Sequence, residues 1–102
     1  MKYEIRKRCA NKINSFYLNV SKKYKHTYSE NLMHKNVDET FDCIYEIERT
    51  LLRRKPLLKQ WEGYYMANTD KWYYAYIIEN DTVIVVDVCH AQNMHNYPSC
   101  NV

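Results

Sequence analysis

The chain has few residues that interrupt regular structure, with 1 glycine and 2 prolines among 102 residues. Glycine supplies left-handed backbone and proline ends helices and strands, so their scarcity argues for long elements and few tight loops. Long apolar runs are missing too. The start, Met1-Lys-Tyr-Glu-Ile-Arg-Lys-Arg, has no apolar segment of the secretory kind, and no later stretch reaches the length of a membrane span. A cytoplasmic protein with no membrane association is the expectation. Without a secretory signal, Cys9, Cys43, Cys89 and Cys100 are expected as free thiols. No internal repeat is visible. A chain of 102 residues can bury one modest core, so residues 1–102 are read as a single domain whose polar end, Asn93 to Val102, is a loosely held tail.

Tyrosine is abundant, at 11 residues. Its ring is apolar and its hydroxyl needs a partner, which suits half-buried faces and binding surfaces. The net charge of +3 hides a segregated pattern. Residues 1 to 25 hold eight Lys/Arg against Glu4 alone, and residues 53 to 59 hold Arg53, Arg54, Lys55 and Lys59 against no acid. The acids fall between and after these blocks. Such clustering makes a local positive surface that attracts phosphate, or it is only a solvated helix face.

Along the chain, Tyr3 and Ile5 alternate with Lys2, Glu4 and Arg6 as a short strand. Ala10, Ile13, Phe16, Tyr17, Val20 and Tyr24 recur at helical spacing and predict a helix from about Cys9 to Tyr24. Thr27-Tyr-Ser-Glu30 is a capping-box pattern, and the apolar residues from Leu32 to Leu52 predict a second helix running to about Arg54. Pro56 follows Arg53-Arg54-Lys55, so these cations would close that helix and complement its dipole. Trp61 to Asn68 reads as a strand and Asn68-Thr69-Asp70 as a turn.

The stretch Lys71 to His90 reads as a hairpin about Asn80-Asp81, two residues that tolerate the positive φ of a tight turn. A strict two-residue turn places Ala75, Ile77, Ile84, Val86 and Val88 on one face and Trp72, Tyr74, Tyr76, Asp87 and Cys89 on the other. The aliphatic face is the expected core. The aromatic face is expected to stay open as a contact surface. The predicted class is α+β, an N-terminal β-strand and α-helical hairpin packed on a three- to four-stranded antiparallel sheet.

At this point the chain resembles the RelE/ParE-type toxins of bacterial type II toxin-antitoxin modules. The resemblance rests on Lys2-Tyr-Glu-Ile5 with the helical hairpin, Leu51-Leu-Arg-Arg-Lys-Pro-Leu-Leu58, Trp61-Glu-Gly-Tyr-Tyr-Met66, Tyr73-Tyr-Ala-Tyr-Ile-Ile and Val83-Ile-Val-Val-Asp-Val-Cys-His90. It implies a small toxin held in check by a cognate antitoxin protein. Its leading implication is a ribosome-dependent messenger RNA endonuclease, with translation inhibited. The alternatives are a toxin that binds DNA gyrase or another protein without catalysis, and an inactive toxin-like interaction module.

RNA cleavage by the substrate's own 2′-hydroxyl needs a base, a cation for the developing phosphorane charge and an acid for the leaving oxygen. No metal and no small-molecule cofactor enters that expectation. The expected catalytic set is His90, Arg53, Arg54, Lys55 and Tyr73. The RNA or partner surface is Lys71, Trp72, Tyr74, Tyr76, Asp87 and Tyr97, on whose rings unpaired bases stack or an antitoxin segment packs. His95 is a further proton handler. In a strict register His90 points toward the helix-covered side, so catalysis there requires a bulge or an early strand end. Nuclease members of the family carry arginine in the central strands, whereas Trp72 to His90 contains none. The cation would then have to come from Arg53, Arg54 or Lys55. Cys89, His90, His95 and Cys100 have metal-ligand chemistry, but their spacing is not a zinc pattern.

Overall fold

The computed structural model describes residues 1–96. Its elements in order are β1 (Lys2–Ile5), α1 (Lys7–Lys23), α2 (Glu30–Ile44), β2 (Tyr65–Asn68), β3 (Trp72–Glu79) and β4 (Thr82–His90), with single 3-10 turns at Lys59–Trp61 and Ala91–Asn96. The four strands form one sheet in the order β1-β4-β3-β2. The class is α+β as expected, but the sheet is mixed. β2, β3 and β4 form an antiparallel meander, while β1 runs parallel to β4 through Lys2–Thr82 to Ile5–Val85.

Helix α1 matches its periodicity and buries Cys9, Ile13 and Tyr17. The cap of α2 is Ser29, whose hydroxyl accepts the Leu32 N–H at 3.1 Å. The helix stops at Ile44, about ten residues before the predicted end. Beyond it, the Ile47 carbonyl accepts the Tyr3 hydroxyl at 2.7 Å, and the Glu46 carbonyl gathers the N–H groups of Arg49, Thr50 and Leu51. Glu48 lies at φ 70, a left-handed conformation that no helix continues. Tertiary partners thus override an apolar periodicity that ran on through Leu51 and Leu52. The strand predicted from Trp61 begins only at Tyr65, because Trp61 closes a 3-10 turn and Gly63 turns the chain at φ 92.

The hairpin turn is where the sequence places it, with Asn80 and Asp81 at φ 50 and 60. Pairing follows the strict register from Glu79–Thr82 to Tyr76–Val85 and then slips, so that Ala75 pairs with Asp87, Tyr74 with Val88, Tyr73 with Cys89 and Trp72 with His90. Val86 is the extra residue of a β-bulge, which bends the strand and re-aims the side chains after it.

The aromatic side of the hairpin, expected to stay open, is the one beneath the helices, while of the expected aliphatic core Ala75, Ile84 and Val88 are buried, Val88 among the aromatics. Trp72, Tyr74 and Tyr76 are almost wholly buried, in one core with Cys9, Ile13, Tyr17, Ile44, Ile47, Val83, Val85 and Val88. The cause is the satisfaction of their polar tips. Tyr74 donates to the Thr40 carbonyl at 3.1 Å, Trp72 Nε1 donates to the Tyr17 hydroxyl at 3.0 Å, and the Tyr17 and Thr40 hydroxyls share a bond of 3.1 Å. With those bonds made, burying each large ring contributes roughly 1.5–3 kcal/mol without an orphaned donor. The far face carries a second cluster of Trp61, Met66, Ala75 and Cys89, flanked by Leu58, Tyr73, Val86 and Met94. Met94, in the described part of the expected tail, lies in a 3-10 segment and packs against that cluster.

Asp87, expected on an open face, is 5% exposed and follows the bulge. Its carboxylate takes the Lys12 ammonium of α1, Trp61 Nε1 at 2.8 Å and its neighbour's Val88 N–H at 2.9 Å, with Arg8 at 3.5 Å. Lys12 is itself only 10% exposed along its side chain. Removing one member of a buried ion pair leaves the other uncompensated. Asp87→Asn is expected to cost about 3 kcal/mol in chemical denaturation, and the Asp87→Asn, Lys12→Met double variant to cost less than the two single changes summed. Strict additivity would show that the pair is not coupled.

Candidate functional site

The residues expected to form one centre occupy separate places. At one end of the hairpin, Arg53 grips Glu48 with two bonds, Nε to Oε2 at 3.1 Å and Nη2 to Oε1 at 2.8 Å. Tyr76 donates its hydroxyl to the same carboxylate, and the Arg53 guanidinium lies 4.0 Å over the Tyr65 ring. These contacts offset the strain of a non-glycine residue at left-handed φ, which is about 1–3 kcal/mol. The Arg53 bonds, then the Tyr76 hydroxyl, hold the Glu48 carboxyl below its ordinary range against the opposing effect of burial. Burial first, and the Glu48 carboxylate second, push the Tyr76 phenol up, so it keeps its proton. The cation cluster that looked free of acids is thus partly neutralised by Glu48.

Arg54 and Lys55 remain exposed. They are not on a helix, so dipole compensation does not explain them. Arg54 exchanges two backbone bonds with Met66, at 2.8 and 3.2 Å, and continues the sheet by one bridge beyond β2. The flanking Arg53 and Lys55 make no backbone hydrogen bond among the described residues. On either side of them Leu52 and Leu57 are each 69% exposed. This edge is basic, apolar and unpaired.

His90 sits at the other end of the hairpin. The bulge keeps it on the helix side with Val88, and its ring stacks on Phe16 at 4.1 Å and meets the Trp72 ring edge-on at 5.1 Å. Nδ1 accepts the Gln92 N–H at 3.2 Å, so the neutral ring carries its proton on Nε2. Burial, then the Lys71 charge, lower its pKa. His90 and Lys71 line one groove of about 500 Å³, joined there by Lys23, Tyr24, Tyr28 and Asp70.

Trp72 and Tyr76 are four residues apart on β3, about 13 Å at the usual rise per residue, so the Arg53 cluster and His90 are too far apart to share a phosphate. Tyr73 lies on the opposite face from His90, in the cluster with Trp61. Of the expected set, the structure brings together His90, Lys71 and Trp72 at one end, and Arg53 with Tyr76 at the other. Tyr74 and Asp87 are buried structural residues. His95 is exposed in the last turn, while Tyr97 and Cys100 lie outside the described residues. Sequence reasoning missed Glu48, Lys12, Lys23 and Trp61. An acid five residues before Arg53 was the available signal for Glu48, but a predicted helix masked it. No protein-family model, curated protein or solved structure matches the chain.

The depressed pKa of His90 gives a pH test. The unfolded chain binds this proton more tightly than the folded one, so the contribution is whole above the ordinary value of 6.5 and is lost as pH falls from there toward the folded value. Thermal midpoints are expected to drop between about pH 7 and pH 5, and His90→Gln to flatten that part of the profile. An unchanged slope in the variant would assign the effect to another group.

Proposed function

We propose that this chain is the toxin of a toxin-antitoxin pair of the RelE/ParE kind, and that it acts by binding a protein target rather than by cutting RNA. The resemblance in sequence supports the class. The dispersal of His90, Arg53 to Lys55 and Tyr73 over three places carries the preference for binding. The surface best suited to a partner is the edge from Leu52 to Leu57, where apolar side chains, two exposed cations and unpaired backbone groups meet. An acidic, apolar antitoxin segment added there as a strand would satisfy all three. DNA gyrase is the protein target that the resemblance offers.

The second reading, a ribosome-dependent messenger RNA endonuclease, draws support from the meeting of His90 and Lys71 in one groove. His90 in its observed tautomer is a donor rather than a base, so the ribosome would have to supply what the chain does not assemble. Induced expression with mapping of transcript ends separates the two. Growth arrest with intact transcripts and DNA-damage signalling is expected. Codon-phased cuts would replace the binding reading with the nuclease, and normal growth would remove the toxin. Replacing Arg54, Lys55 and Leu57 by Ala, Ala and Ser, with Arg53 kept on Glu48, is expected to weaken antitoxin capture roughly tenfold or more, about 1.4 kcal/mol. For that assay the antitoxin would be a short DNA-binding protein with an acidic tail encoded beside this chain, and its absence there would count against the toxin reading.

A further inference from the structure

We propose that the groove between α1, α2 and the end of β4 binds a phosphomonoester carrying an aromatic ring, that is, a terminal nucleotide. The site lies at the opposite end of the hairpin from the basic edge and does not rest on the toxin reading. Its donors come from three elements. Lys23 closes α1, Lys71 precedes β3 and His90 ends β4, and all three line the same space of about 500 Å³. That size suits a small ligand. The fourth donor is Tyr28, whose hydroxyl oxygen accepts from the Asn36 side-chain amide and so keeps its own proton for an acceptor.

The groove is therefore rich in donors, and among the described residues the only carboxylate that lines it is Asp70. An acceptor-rich dianion such as a phosphomonoester answers that imbalance. The aromatic half of the ligand follows from Tyr24, which is 50% exposed and whose ring has the Lys23 ammonium over one face, 5.4 Å from the centroid, leaving the other for a base. An exposed ring at the groove wall is a stacking platform for a base. His90 lines the groove with Lys71, Lys23 and Asp70, and with Nδ1 held by the Gln92 N–H its neutral ring has Nε2 as the donor.

The test titrates the full chain with adenosine 5′-monophosphate, adenosine, inorganic phosphate, and a short RNA with or without a 5′-phosphate, read by amide chemical-shift changes. The monophosphate is expected to move Tyr24, Lys71 and His90 to Gln92 and to bind more tightly than adenosine or phosphate alone. Lys23→Met and Lys71→Met should each weaken binding about tenfold, with unchanged spectra elsewhere showing an intact fold. Tighter binding of the RNA, dependent on its 5′-phosphate, assigns the ligand to a strand end; preference for the mononucleotide assigns it to a free nucleotide. Equal affinity for adenosine, full affinity in Lys71→Met, or no shift with any probe would overturn the proposal.

Discussion

The carboxylate of Asp87 is the point on which the arrangement of this fold turns. It joins the Lys12 ammonium of α1, the indole of Trp61 and the N–H that follows the bulge in β4. A buried charge of this kind is tolerable only when every partner is in place. The pair therefore fixes where α1 crosses β4, and the indole bond holds the Leu58 to Trp61 segment against the opposite side of the sheet. Cys9 lies in the same field. Burial, reinforced by the Asp87 charge, raises its thiol to about 11, which leaves it protonated and poorly nucleophilic near neutrality.

The same region explains how the sheet chooses its inner face. Binary patterning favours the aliphatic residues Ile77, Ile84 and Val86 as core, since they carry no polar atoms. The structure instead buries tyrosine and tryptophan beneath the helices, because Thr40, Tyr17 and Glu48 wait there as partners for their polar ends. Those partners come from two helices and a loop far away in sequence. A period-2 pattern identifies two faces and says nothing about which one finds hydrogen-bond partners across the layer.

What was legible follows the same division between local and non-local information. The Asn80-Asp81 turn, the register near it, the extent of α1 and the α+β class are set by neighbours within a few residues. The bulge at Val86, the early end of α2 at Ile44 and the parallel pairing of β1 depend on contacts that span most of the chain. The candidate site suffered from those misreadings directly. Assigning Arg53 to a helix hid its bond to Glu48, and extending a strict register past Tyr76 put Asp87 on an open surface. Lys71 and His90 line one groove, yet Lys23, which lines it with them, belongs to another element and leaves no mark in local spacing.

Strand β1 and its partner β4 are the first and last strands among the described residues, with Lys2 to Ile5 lying along Thr82 to Val85 and the Met1 amine 3.6 Å from the Asp81 carboxylate. During synthesis this pairing has to wait. The helical hairpin and the meander can begin from contacts close in sequence, but the sheet closes only after β4 has been made. Until then β1 has no strand to pair with along Lys2 to Ile5. A truncated product ending before β4 would lack the partner for β1 and the Asp87 anchor for α1, so neither the first strand nor the first helix has its seat until β4 is present.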